Sequence, residues 1–209
     1  MEKDKDTLEK CLSYLNNEQI DELRKMMKNQ ENQEEKRMKK TLIVVDMQND
    51  FIDGSLGTKE AQVIVPRVKR KIEEYKEAGE QVIFTRDTHS ENYLETYEGK
   101  HLPVSHCIMG TDGWQISDEI GCYFSPDKDD IINKPIFGWL NWKDYKFEAV
   151  EICGLCTDIC VISNALIIRA MYPDIDITVD ARCCAGVTPE KHKAALEVMK
   201  SCQITVIGE

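Results

Sequence analysis

A chain of 209 residues can bury one substantial core but is too short for two comfortable domains. Its formal net charge of -11 excludes nucleic acid and anionic membrane surfaces as partners, since both demand clustered Lys and Arg. No apolar run reaches the roughly 20 residues of a membrane span and "MEKDKDTLEK" has no apolar signal core, so the expectation is a cytoplasmic protein that handles small molecules.

Residues 1–38 differ in kind from the rest. "TLEKCLSYLNNEQIDELRKMMKNQ" has the spacing of two short amphipathic helices and runs into the polar stretch "ENQEEKRMKK". Ten acidic and ten basic residues balance across Met1 to Lys40, so the acidic surplus belongs to the remainder of the chain. The segment reads as a helical appendage that packs or dimerises, because its neutral balance does not suit a DNA reader. Met38 directly precedes the first strand pattern and could be an alternative start. The chain therefore divides into an appendage, 1–38, and a main domain, 39–209.

From Thr41 onward, short β-branched runs alternate with helical patterns. "TLIVVDM", "QVIFTRD", "DIINKP", "FEAVEICG", "DITVDAR" and "QITVIG" read as six strands. Helices are expected near Val63 to Ala78, Asp158 to Met171 and Pro189 to Ser201. Gly79 and Pro173 mark the ends of the first two, and Thr188-Pro189 supplies a cap and first-turn proline for the third. Near-continuous apolar strands joined by helices describe a doubly wound α/β fold, with a mostly parallel six-stranded sheet covered on both faces.

Active sites of open parallel sheets gather outside the carboxyl ends of the strands. Here the first strand ends at Asp46, the second at Asp87 and His89, the third at Lys134, and the fourth runs into "GLCTDICV". An acid, an acid with an imidazole, an amine and a thiol are thus delivered to one edge. A buried strand-ending carboxylate such as Asp46 needs a partner, and Lys134 can supply it.

Nine cysteines, an odd number under reducing conditions, argue against a disulfide framework. Three of them, Cys153, Cys156 and Cys160, are spaced C-x2-C-x3-C and raise the choice between a metal knot, a redox pair and one working thiol. Cys153 lies in the strand, Cys156 in the turn and Cys160 in the first turn of the next helix, so they do not converge on one ion, and no fourth ligand stands at ribbon spacing. Cys160 is the best-placed nucleophile, because unpaired amides and the helix dipole favour a thiolate there. With Asp46 as base and Lys134 as the cation that holds the geometry, it completes a coherent set.

The combination of "VVDMQNDF", "INKPIFG" and "GLCTDICV" resembles the isochorismatase-like cysteine hydrolases, and "TRDTHSENYLETYEGKHLPVSHCIMGTDGW" resembles their nicotinamidase branch. The resemblance covers about Lys40 to Glu209. It implies a catalytic triad of Asp46, Lys134 and Cys160, with an oxyanion hole formed by the backbone amides of Cys156 and Cys160 after a cis peptide joining Leu155 to Cys156. It also implies one metal ion, zinc first and iron or manganese as alternatives, held by Asp87, His89 and His106. Glu98 could hold a metal-bound water, with His101 as a competing ligand. Phe51 and Phe137 are candidates to wall a flat ring. The implied reaction, a step of NAD salvage, converts nicotinamide to nicotinate and ammonia through a thioester, and the implied assembly is a homo-oligomer.

Two rival functions are compatible with the same residues. A carbamoyl or ureido amidase of the superfamily keeps the acid, amine and thiol without the metal, so Asp87, His89 and His106 discriminate. A non-catalytic interaction protein would use the acidic face and the N-terminal helices to bind a partner.

Overall fold

The computed structural model describes residues 40–209. The two helices expected in the appendage lie outside the described residues. Six strands form one sheet, all paired in parallel: β1 (Lys40–Val45), β2 (Gln81–Asp87), β3 (Asp130–Lys134), β4 (Ala149–Leu155), β5 (Asp176–Ala185) and β6 (Thr205–Ile207). Their spatial order is β3-β2-β1-β4-β5-β6. The chain thus starts in the middle, grows to one side, then crosses over and grows to the other. Right-handed crossovers in opposite directions place helices on opposite faces.

Burial reflects that position. β1, β2 and β4 are covered on both faces, and Leu42, Ile43, Val82, Ile83 and Ile152 reach no solvent, which is why these strands read as continuous apolar runs rather than alternating ones. The edge strand β6 stays partly exposed throughout.

Helix α1 (Asn49–Ile52) comes after β1, and α2 (Lys59–Glu77) makes the first crossover. α2 begins four residues before the expected Val63, because the Thr58 side chain accepts from Ala61 N and caps it there. Gly79 ends it as expected, with φ 69, a conformation glycine adopts without steric cost. Two short helices, α3 (Tyr97–His101) and α4 (Asp118–Gly121), punctuate the long connection between β2 and β3. α5 (Ile162–Met171) is preceded by a π turn over Thr157–Val161. This corrects the expectation that Asp158 opens the helix: Cys156 is the N-cap, and its carbonyl accepts from Val161 N at 3.1 Å. α6 (Pro189–Ser201) has the Thr188 cap and leading proline read from sequence. No helix among the described residues is long and apolar enough to cross a membrane.

Candidate active site

The strand order reverses between β1 and β4, and the crevice outside their carboxyl ends is where ligands bind in such sheets. Asp46 comes directly after β1. Its backbone lies in the left-handed region, φ 48, a strained placement that concentrates at functional sites, and its amide is held by the Thr85 carbonyl at 3.2 Å. The carboxylate accepts from Thr85 Oγ1 at 2.7 Å and pairs with Lys134 Nζ at 2.7 Å. Lys134 ends β3, donates to Cys160 Sγ at 3.4 Å and lies 3.3 Å from Asp87 Oδ1. The structure thus brings Asp46, Lys134 and Cys160 together with the ammonium in the middle. Gly154 lets β1 and β4 approach: a Cβ there would stand 2.1 Å from the Val45 carbonyl oxygen.

Burial pushes the Cys160 thiol well up, against the lowering pull of the Lys134 charge. Burial also raises the Asp46 carboxyl against the pull of Lys134, which moves it toward the range of a working base. For Lys134, burial alone would lower the pKa, but Asp46, Cys160 and Asp87 together hold it well above the ordinary value. The amine stays charged.

The peptide bond joining Leu155 to Cys156 is cis, as the resemblance implied. Of the three clustered cysteines, Cys153 is fully buried within β4, whereas Cys156 and Cys160 line a common cavity.

That cavity has a volume of about 240 Å³. Phe51 and Phe137 line it, together with Leu56 and Ile159, as do Asp87, Glu98 and His106. Asp87, His89, Glu98 and His106 offer ligand atoms that all lie within 4.8 Å of one another. His89 Nε2 is 3.0 Å from Asp87 Oδ2. His106 Nδ1 donates to the Val104 carbonyl at 2.8 Å, leaving Nε2 directed at Asp87 Oδ2, 3.6 Å away, and Glu98 Oε1, 3.9 Å away. A carbonyl that fixes the tautomer is the usual outer support of a metal-binding histidine. Two carboxylates and two imidazoles around one point form an oxygen and nitrogen set that fits zinc, iron or manganese. Burial raises the Glu98 carboxyl, and the neighbouring Asp87 charge adds to the effect. Asp87 is held well below the usual carboxylate range, because the neighbouring His106 and His89 imidazoles and the Lys134 ammonium outweigh its burial. His101 is not part of the group. It is exposed, and its Nδ1 donates to the Tyr97 carbonyl at 2.8 Å.

Several supporting residues escaped the sequence reading. Gln48 clamps Asp87: Nε2 donates to the Asp87 carbonyl at 2.9 Å while Oε1 accepts from the Asp87 amide at 2.7 Å. Asp50 Oδ2 accepts from the Cys107 amide at 2.7 Å and so fixes the residue after His106. The Tyr93 ring packs 4.6 Å from that of His89 and 4.8 Å from that of His106. Asn164 donates to the Cys160 and Phe137 carbonyls. Gln48 and Asp50 lie inside the motif "VVDMQNDF" and could have been flagged. Thr85, Tyr93 and Asn164 carry no local signal, since their roles depend on neighbours across the fold.

Residues 40–208 match the sequence model of the Isochorismatase domain. Nicotinamidase/pyrazinamidase of Mycobacterium tuberculosis is 26% identical over 197 residues, which cover 80% of this chain and 98% of that protein. Pyrazinamidase of Pyrococcus horikoshii, solved in complex with zinc, superposes with a TM-score of 0.68 at 29% identity, covering 82% of this chain and 99% of the other. N-carbamoylsarcosine amidase of Thermoplasma acidophilum superposes with a TM-score of 0.65 at 27% identity, with 82% and 96% covered. The chain belongs to the isochorismatase family, in its nicotinamidase branch, and is a hydrolase acting on amide carbon–nitrogen bonds.

Proposed function

We propose that the enzyme hydrolyses nicotinamide to nicotinate and ammonia. The observation that carries this reading is that one cavity is lined by the Cys160 thiol, by two aromatic side chains and by members of a four-donor group able to hold a metal. Asp87, His89 and His106 would hold the ion, with Glu98 beside them, and the bound ion would supply a Lewis acid that grips the pyridine nitrogen. Phe51 and Phe137 flank the ring.

The chain's own residues carry out the chemistry. Asp46 takes the Cys160 proton, and the thiolate attacks the amide carbon while the Lys134 charge steadies both anions. The backbone amides of Cys156 and Cys160 receive the oxyanion. Protonated Asp46 passes its proton to the departing nitrogen, so ammonia leaves and a thioester remains. Asp46 then deprotonates a water that attacks the thioester, and Cys160 recovers its proton as nicotinate departs. The catalytic unit on this reading is 39–209, with 1–38 as an appendage.

Ammonia release from nicotinamide, pyrazinamide and carbamoyl compounds, with and without chelator, tests the proposal. Nicotinamide turnover that falls on chelation is expected. The likeness to the carbamoylsarcosine amidase supports a second reading, in which a carbamoyl compound is preferred and chelation has no effect.

A further inference from the structure

The turn that bears Cys160 is held from two sides. On one side Asn164, a turn further along the same helix, donates to the Cys160 carbonyl at 2.8 Å. At the start of the turn the N-cap, Cys156, makes no side-chain bond, so the first residues depend on a neighbour. The corner between β5 and α6 provides it. The Val187 amide donates to Asp158 Oδ1 at 2.9 Å, and His192 Nδ1 lies 2.7 Å from Thr157 Oγ1. Thr157 is fully buried. The corner has no slack, because a Cβ on Gly186 would stand 2.8 Å from Asp158 Oδ1 and 2.9 Å from the His192 Cα and Cβ atoms.

We propose that Thr157 and His192 are a positioning pair for the nucleophile: the imidazole supplied by α6 fixes the start of the π turn, and with it the direction in which the Cys160 thiol and the turn amides face the cavity. The inference rests on Cys160 being the nucleophile. A hydroxyl–imidazole bond is directional in a way that apolar packing is not, and it acts three residues before the reacting sulfur. Burial holds the imidazole below its ordinary pKa despite the nearby Asp158 and Glu209 carboxylates, and either tautomer of a neutral ring can pair with the hydroxyl.

The test uses the full chain and two readouts. Amide turnover gives kcat and KM, while peptide-resolved mass spectrometry gives the rate at which iodoacetamide alkylates Cys160, whichever amide is the substrate. Thr157→Val and His192→Ala are each expected to lower kcat on the order of 10- to 100-fold, as small misplacements of reacting groups do, with KM little changed. The double variant should be no worse than the poorer single, because both remove one interaction. Thr157→Ser and His192→Asn, which keep a hydrogen-bonding atom in place, should recover most of the rate, and the alkylation rates should show the same order. Additive losses, conservative variants as poor as the apolar ones, or a kcat loss explained by unfolded protein in melting curves would overturn the pair. If wild type hydrolyses no amide yet the alkylation order holds, the pair stands and the amidase reading falls.

Discussion

Lys134 Nζ stands 2.7 Å from Asp46 Oδ2, and neither side chain reaches solvent. The ammonium also faces Asp87 and Cys160, so one cation balances two buried carboxylates and touches the Cys160 thiol. Removing one member of a buried ion pair typically costs about 3–5 kcal/mol. Lys134→Met is therefore expected to lose turnover and to unfold at clearly lower urea. Adding Asp46→Asn should restore part of the stability and none of the activity. A Lys134→Met protein as stable as wild type would contradict the pair.

Among the clustered cysteines only Cys160 should be essential. Cys160→Ala is expected to abolish ammonia release, whereas Cys156→Ala should retain most of it, because the proposed role of Cys156 belongs to its backbone amide. Cys153→Ala removes a sulfur buried inside β4 and should be felt in melting temperature rather than in kcat. Equal loss of activity in all three would point back to a joint function of the thiols.

His89→Ala is expected to lose bound metal, read by elemental analysis, together with nicotinamide turnover. Cys160 should still react with iodoacetamide within a few-fold of its normal rate, because His89 contacts Asp87 Oδ2 while the thiol is linked to Asp87 only through Lys134 on Oδ1. Full nicotinamide turnover by protein shown to be free of metal would remove the ion from the mechanism.

Acid stability should depend on Asp180. Burial alone would raise its carboxyl, but hydrogen bonds from Arg182 and Lys71 outweigh that and hold the pKa below the ordinary value. A carboxyl depressed in the folded state adds stability that is fully present above its unfolded pKa, about 3.9, and is lost as pH falls toward the folded value. Asp180→Asn should therefore be less stable than wild type at pH 7, and the gap should narrow below about pH 4. Urea midpoints at both pH values give the comparison, and a gap that widens in acid would reverse the assignment.

Deletion of residues 1–37, leaving Met38 as the start, is expected to give folded protein with near-normal kcat. All six strands and every proposed site residue lie beyond that point. Soluble expression and an ammonia assay decide it, and an inactive or insoluble product would assign the segment a part in the catalytic unit.

The sequence by itself determined the parallel architecture, because strands buried on both faces must be apolar at nearly every position, and runs such as Leu42 to Val45 carry that signature locally. It also determined the chemistry at the strand ends. Asp46, Asp87 and Lys134 are polar groups at the close of apolar runs, legible without knowing which strands are neighbours. The start of α2 was missed because its cap, Thr58, precedes the apolar pattern, and the π turn was missed because one extra residue in a turn leaves no compositional trace. What only the tertiary structure decided was which groups touch. Lys134 reaches Asp46 and Cys160 on one side and Asp87 on the other because β2 lies between β1 and β3. Glu98 joins the donors while His101, three residues on, turns its ring to the Tyr97 carbonyl. The burial that raises the Cys160 pKa, against the pull of Lys134, likewise comes from the assembled core. Such relations arise from residues brought together across the fold, and spacing along the chain cannot encode them.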